Sequence, residues 1–322
     1  MKAGRSSGLW LTLAAVLAAG LAPALAGSDT MREGMSTLLI FVTLATSLNI
    51  LLGYTGYVNF GHIVFFGLGG YCGFYLLSRH GWPLAAAALA VGISSVLLAG
   101  MLGACILRLR GAYFALATIG INEAARAFVS NFPPFGGSSG LSINFDVYRR
   151  YGGASQALWT VYASLIAAAL AAIATSHLVR RSRFGLGLMA IREDEDAALV
   201  MGVRAPRLKT IAYMLSAFFP GVVGVLYFFK NGNVEPGDAF RLNMSIETMV
   251  MVMLGGQGTL MGPVVGAAAY ERLRGYLITS PLFKNLHLAV AGLSLLLIVL
   301  FIPAGAVGWL RRRFPPLRRF LE

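Results

Sequence analysis

Few residues of this chain could carry chemistry, and most of them lie inside long apolar runs. The sequence has four histidines in 322 residues and no HExxH motif. His62 with a nearby serine could imitate the base and nucleophile of a hydrolase. Glu123, Glu247 and Glu271 are the carboxylates that an ion-coupled secondary transporter could use within a membrane. A lone His62 is more often a satisfied interior group, so support for an enzyme is weak.

A glycine-rich stretch, 53–67, interrupts the apolar runs in the first half of the chain. Glycine at this density breaks or bends a helix, and non-helical backbone at membrane depth persists only where protein or a water-lined cavity satisfies its polar groups. Two interpretations stay open: close packing of helices through small residues, or a broken helix that lines a translocation path. Asn59 and His62 favour the path, and with Tyr57 they are the residues predicted to line it.

A second glycine-rich stretch, 255–266, lies in the other half of the chain. It lacks the Lys-Ser/Thr ending of a phosphate-binding loop, so it does not predict a nucleotide site. Interrupted segments in the two halves of a membrane protein point to a transport path. The residues of this stretch predicted to line the path are Gly255, Gly256 and Gln257.

A polar segment, 183–209, separates the apolar runs that contain the two glycine-rich stretches. It is too charged to lie in lipid. The segment predicts one amphipathic helix at the membrane surface, with acidic residues early, basic residues late and Gly202 as terminator. Glu195 is expected to face water, and an ordinary connecting loop is the alternative. The predicted apolar side consists of Ala190, Ala197, Ala198, Val200, Met201 and Val203.

Composition sets the class of protein. Of the residues, 57% are hydrophobic and 12% are charged, and the mean hydropathy is +0.72. That much apolar surface cannot fill the interior of a water-soluble domain, so we predict a single all-α polytopic transmembrane domain, 1–322, with about 8–10 spans. The spans fit at about 8–27, 35–53, 61–78, 83–107, 111–130, 157–179, 209–230, 244–255, 262–279 and 286–303.

The net charge of +13 reflects topology rather than binding to nucleic acid. If both termini are cytoplasmic, most of the basic residues fall on the inner side, as the positive-inside rule requires. This orientation places 183–209 in the cytoplasm and the longest outer loop, 130–156, outside. Pro and Gly make that loop irregular, and it is either a docking surface for an external partner or a solvated connection.

Three smaller expectations concern single residues and the N-terminus. Glu123 and Arg126 share one helical face and are expected to pair. Cys72 and Cys105 lie in apolar runs, where they predict small packing residues and no disulfide. The first 26 residues imitate a secretory signal, but an uncleaved first span is favoured because further spans follow directly.

Taken in order, these motifs resemble those of a known family, the LivM-type permease subunits of ABC importers for branched-chain amino acids. The resemblance runs from about residue 49 to residue 308. The blocks that carry it are 51–56 (LLGYTG), 60–62 (FGH) with 65–67 (FFG), 108–116 (RLRGAYFAL), 136–141 (GGSSGL), 182–185 (SRFG), 190–193 (AIRE) with 197–198 (AA) and 201–202 (MG), and 254–259 (LGGQGT) with 262–263 (GP).

The resemblance implies one half of a heterodimeric channel in the bacterial inner membrane. Its implied partners are membrane lipid, a second LivH-like permease, two cytoplasmic ATPase subunits and a periplasmic substrate-binding protein. The ATPases would hydrolyse ATP, so the chain itself is expected to be no enzyme and to need no cofactor or metal. The segment 183–209 is then similar to an ATPase-coupling segment, with expected contacts at Arg192, Glu193, Ala197, Ala198 and Gly202.

The sequence departs from the family pattern at two positions. Tyr57 stands where a small or amide residue is expected, and Asn59 where a serine is expected. Both belong to the stretch predicted to face the substrate. The resemblance therefore implies transport without fixing the cargo, which could be branched-chain or other small amino acids, or urea and short amides.

Overall fold

A computed structural model describes residues 7–279, 292–293 and 305–308, and this part of the chain is almost entirely helical. Two strands of two residues, β1 (Leu141–Ser142) and β2 (Asn233–Val234), pair antiparallel. The helices are α1 (Ser7–Ala26), α2 (Asp29–Thr55), α3 (His62–Arg79), α4 (Leu84–Ile106), α5 (Ala112–Ser130), α6 (Phe145–Arg149), α7 (Ala154–Arg181), α8 (Arg183–Glu193), α9 (Glu195–Val200), α10 (Ala205–Asn231), α11 (Pro236–Ala239), α12 (Leu242–Gly255) and α13 (Gly262–Thr279).

The predicted spans coincide with long helices. α1, α2, α4, α7 and α10 are long and apolar enough to cross a membrane. α3, α5, α12 and α13 occupy the other predicted spans, although the 14 residues of α12 cover only about 21 Å, less than a hydrocarbon core. The last predicted span, 286–303, lies almost wholly outside the described residues. The prediction of an all-α polytopic membrane protein is confirmed.

α10 forms the centre of the packing, with α2, α3, α4 and α7 around it. Small residues allow the helices to approach closely. A Cβ atom on Gly69 of α3 would lie 2.5 Å from the carbonyl oxygen of Gly221 in α10. The backbones of these two helices are therefore in direct contact, which fixes α3 and the residues before it against the centre of the bundle.

The two ends of the bundle differ in character. One end, called here the linker end, contains α8, α9 and the start of α10. The opposite end, called here the loop end, contains residues 131–153. The loop end contains two 3-10 turns, Pro133–Phe135 and Gly137–Ser139, and β1 ties it to β2 after α10. The Tyr148 hydroxyl donates to the Phe229 carbonyl oxygen at 2.7 Å. This loop is thus a packed element with structure of its own.

Two of the expectations for single residues can be compared with the structure. Glu123 and Arg126 pair at 3.5 Å on the exposed face of α5, as predicted. Cys72 and Cys105 are both free thiols. Cys105 is exposed on α4, so its prediction as a packing residue is wrong, whereas Cys72 is partly buried.

Candidate functional site

The first glycine-rich stretch contains a true break between helices. α2 continues through Gly53 to Thr55, and Gly56 ends it with a φ of 76° and an N–H that donates to the Leu52 carbonyl oxygen. Residues 56–61, called here the first break, are non-helical until α3 begins at His62. The glycines farther along serve packing instead, since a Cβ on Gly67 would lie 2.6 Å from the Ala239 carbonyl oxygen. The stretch 53–67 thus contains both a helix break and closely packed glycines, in different parts of it.

Two predicted path residues at the first break are buried with unused polar atoms. The Asn59 Oδ1 atom accepts the Gly61 N–H at 2.9 Å, and His62 Nε2 lies 3.0 Å from the Ser47 hydroxyl. The Nδ2 atom of Asn59 and the Nδ1 atom of His62 have no hydrogen-bond partner within the described part of the chain. Buried polar atoms are nearly always paired, so these two could serve a polar solute or water.

The second glycine-rich stretch contains another break, which touches the first half of the chain. α12 ends at Gly255, α13 begins at Gly262, and residues 256–261 between them form the second break. Gly255 and Gly256 are buried, and Gln257 is partly exposed. Gly256 and Gly258 have φ angles of 120° and 76°, in the region that favours glycine.

Asn49 lies near the end of α2, the helix that leads into the first break, and its side chain binds the second break. Its Nδ2 atom donates to the Thr259 carbonyl oxygen at 3.0 Å, and its Oδ1 atom accepts the Gly258 N–H at 2.8 Å. Gly53, one turn along α2, leaves just enough room, because a Cβ there would lie 2.6 Å from the Gly258 nitrogen. Sequence reasoning missed Asn49, although an amide inside an apolar helix was a signal that could have identified it.

The segment 183–209 contains two short helices, where the sequence predicted one. The Asp194 carboxylate accepts the N–H groups of Asp196 and Ala197 at 2.9 and 3.0 Å, so it caps α9 and ends α8. An aspartate that caps a new helix competes with continuation of the old one. Gly202 ends the second helix with a φ of 86°, as predicted, and α10 follows at Ala205.

The apolar residues of this segment face two ways, which differs from the single apolar side predicted. Ala198 is buried against Ile191 and Ala205 of its own chain, so it supports α9 rather than facing outward. Val200 and Met201 are 87% and 84% exposed. The tip of α9, residues 199–201, is therefore a small apolar projection, and Glu193, Ala197 and Gly202 are exposed beside it.

Glu195 was expected to face water, and the structure shows that this was wrong. Its side chain is 13% exposed, and its Oε1 atom accepts a hydrogen bond from the Lys209 ammonium at 2.7 Å. Its Oε2 atom accepts one from the Tyr57 hydroxyl at 2.6 Å. Lys209, 2% exposed, also donates to the Tyr57 hydroxyl at 2.8 Å. Tyr57, Glu195 and Lys209 form a closed triangle, called here the polar cluster.

Two arginines extend the contacts between the linker end and the breaks. The Arg192 guanidinium donates to the Gly53 carbonyl oxygen at 2.6 Å, so this expected partner contact is turned toward its own chain. Arg110, between α4 and α5, pairs with Asp196 at 2.9 Å and approaches Glu195 at 3.6 Å. The hydrogen bond to Asp196 and the charges of both carboxylates raise the pKa of Arg110.

The charges around Glu195 fix its ionisation. Burial raises the pKa of this carboxyl, but the hydrogen bonds from Lys209 and Tyr57 and the charges of Lys209 and Arg110 outweigh burial and lower the pKa overall. Glu195 is therefore ionised at neutral pH and stabilises the buried ammonium of Lys209. Helical periodicity alone could not identify this residue, because Glu193, Asp194 and Asp196 share the same acidic run.

Taken together, these features define a polytopic α-helical membrane protein in which the second helix break packs against α2, the helix that leads into the first break, beside a surface linker. A comparison of the sequence identifies the family. Residues 30–300 match the family described as "Branched-chain amino acid transport system / permease component", and the chain belongs to that family.

Individual relatives agree with this assignment. The chain is 27% identical over 253 residues to the high-affinity branched-chain amino acid transport system permease protein LivM of Salmonella typhimurium, which covers 71% of this chain and 59% of that protein. It is 29% identical over 143 residues to LivH of the same organism, 43% of this chain and 44% of that protein. It is 24% identical over 330 residues to a probable LivM of Methanocaldococcus jannaschii, covering 87% and 94%. No solved structure matches.

Proposed function

We propose that this chain is the membrane-spanning permease subunit of an ABC importer in a bacterial inner membrane, carrying branched-chain or other small amino acids. The observation that carries this proposal is the juxtaposition of two helix breaks with a linker whose tip is apolar and exposed. Family membership and relatives named for branched-chain amino acids support the cargo class. Urea and short amides remain the alternative cargo.

The tip of α9 is the proposed contact with an ATPase subunit. An apolar side chain fully buried at an interface stabilises by roughly 1.5–3 kcal/mol, and Val200 and Met201 both project with most of their surface free. Exposed Arg204 and Arg207 lie just beyond, so the cleft that receives the tip is expected to have an acidic rim. Glu193, Ala197 and Gly202 are proposed to lie at the edge of this contact.

The two breaks are the proposed walls of the path. Asn59 and His62 offer buried polar atoms that have no hydrogen-bond partner among the described residues, and Gly255, Gly256 and Gln257 lie at the break that Asn49 holds against α2. A zwitterionic amino acid needs such polar groups to replace its water. A second, LivH-like permease would complete the path from the facing side.

The orientation follows from charge. With the linker end and both termini in the cytoplasm, 16 of the 26 basic residues of the sequence fall on the inner side, so we propose this orientation. A second ATPase subunit would then bind the permease partner. The loop end faces the periplasm, where the packed element at 131–153 is the proposed seat of a substrate-binding protein.

Charge at the tip of α9 tests this assignment. Val200→Asp and Met201→Asp, made in the complex purified through a tag on this chain, should lower ATPase co-purification and ATP-dependent leucine uptake into vesicles at least about tenfold, because a charge at a buried interface costs about 2 kcal/mol or more. Ser78→Asp is the control, since it adds the same charge at an exposed site outside both proposed contacts.

Three results would contradict parts of the proposal. Normal uptake by both tip variants would remove the ATPase contact. Uptake by the wild-type complex that ignores ATP and is abolished by a protonophore would identify an ion-coupled transporter instead. Competition of leucine uptake by excess urea, with no competition by isoleucine, would replace the amino-acid cargo with the amide alternative.

A further inference from the structure

The polar cluster joins three elements that have different tasks in the proposed importer. Tyr57 belongs to the first break, two residues before Asn59. Glu195 is the first residue of α9, whose exposed tip is four residues away, and Lys209 lies on α10 at the centre of the bundle. One set of hydrogen bonds therefore connects the linker end, the path and the fixed core.

Each polar atom of the cluster is engaged by another member. The Tyr57 hydroxyl donates to Glu195 and accepts from Lys209, while the ammonium of Lys209 also lies 4.5 Å from the centre of the Tyr57 ring. The edge of that ring packs against Phe114, with the centroids 5.2 Å apart. Opening one contact would leave a buried ammonium or carboxylate without its partner, which is costly, so Tyr57 and Glu195 should keep their bonds to each other and to Lys209 when either is displaced.

α9 is a short helix with a turn at each end. Asp194 caps its start in an extended conformation, and Gly202 follows its end at a φ of 86°, so a turn lies on each side of six helical residues. A Cβ on Gly202 would meet no described atom within 4 Å. These two turns are where a displacement of α9 would be absorbed, and Tyr57 is the first-break residue to which Glu195, at the start of α9, is bonded.

We propose that the polar cluster transmits displacement of α9 to the first break, so that Tyr57, Glu195 and Lys209 are positioning residues that couple ATP hydrolysis to opening of the path. This inference rests on the proposed function. Lys209 supplies the pivot, because it is anchored in α10 and contacts both moving partners.

The test measures leucine molecules transported per ATP hydrolysed, using the complete complex in vesicles. Tyr57→Phe removes only the hydroxyl, and Glu195→Lys and Lys209→Glu each place like charges together. These variants should lower the transport ratio at least about tenfold, because hydrogen bonds to charged groups are lost. The double exchange Glu195→Lys with Lys209→Glu restores opposite charges and should recover the ratio to within about threefold of wild type.

A matched control is the exposed pair on α5. Glu123→Arg and Arg126→Glu, made singly and together, repeat the same charge changes in a pair that is not part of the cluster. The transport ratio should stay at its wild-type value in all three variants. Should a single reversal in the cluster fail to assemble, Tyr57→Phe still decides the matter. A purely structural role would lower the amount of complex and its melting temperature while leaving the transport ratio unchanged.

The possible outcomes distinguish failure of the coupling role from failure of the proposed importer function. A wild-type complex with no substrate-stimulated ATP hydrolysis overturns the importer and the coupling role together. A coupled wild type with an unchanged ratio in Tyr57→Phe overturns the coupling role alone. A lowered ratio in Tyr57→Phe, with recovery in the double exchange, supports it.

Discussion

Replacing Gly53 by alanine should separate the second break from α2. The new Cβ would lie against the Asn49 Oδ1 atom and 2.6 Å from the Gly258 nitrogen, so Asn49 must leave its place. Two buried hydrogen bonds, at 3.0 and 2.8 Å, are then lost. Two such bonds contribute about 1–3 kcal/mol and overpacking costs about 1–3 kcal/mol, so the total is about 2–6 kcal/mol.

The matched control lies on the same helix. Gly34 of α2 is exposed, and a Cβ there would meet no atom of the described residues within 4 Å. Gly34→Ala should be neutral or stabilising by about 0.5–1 kcal/mol, because alanine favours a helix over glycine. The two substitutions are chemically identical, so a difference between them reports the local space alone.

The assay is thermal unfolding of the detergent-purified protein, followed by transport in vesicles. Gly53→Ala should lower Tm by several degrees and abolish uptake, while Gly34→Ala should leave both at wild-type values. An unchanged Tm in Gly53→Ala would refute the reasoning, because the helix and the second break would then have room that the structure does not give them. Loss of uptake in both variants would show that glycine mobility, not close contact, matters in α2.

Two further predictions concern ionisation and access. Because the native pKa of Glu195 lies below its ordinary value of 4.5, its stabilising effect should be fully present above pH 4.5 and should disappear as the pH falls through the native pKa. The difference in Tm between wild type and Glu195→Gln should therefore shrink on acidification, and a constant difference from pH 7 downward would contradict the ion pair. A cysteine at Asn59 should react with a small polar thiol reagent faster in substrate-stimulated than in resting complex, whereas Leu89→Cys, on the exposed apolar face of α4, should react slowly in both states. Equal reactivity of the two cysteines would remove Asn59 from the path.

The long helices could be predicted from sequence because their signal is local. Apolar runs of about 20 residues ended by glycine, proline or charge locate a span without reference to any other part of the chain. The predicted spans at 83–107 and 111–130 differ from α4 and α5 by at most a residue at each end. Gly202 was predicted as a helix end for the same reason, since a terminator acts on its own neighbours.

The polar contacts could not be predicted because their partners are distant in sequence. Tyr57 and Glu195 are separated by 138 residues, and Asn49 and Thr259 by 210. Four consecutive acidic residues look alike in a helical projection, yet Asp194 is a cap, Glu195 is buried and Asp196 pairs with Arg110. Which of these acidic residues pairs with a cation depends on how the helices pack in three dimensions.

The contact between Asn49 and Thr259 also constrains how the protein is made. α2 enters the membrane early in synthesis, but the carbonyl that Asn49 binds is 210 residues later in the chain. At roughly 5–20 residues per second, the ribosome needs about 10–40 s to supply it. During that interval the amide must remain in the aqueous insertion channel, hold a water or bind a temporary partner, since an unpaired amide in lipid is costly. The last third of the chain therefore supplies the buried partner of a side chain on a helix that was inserted early.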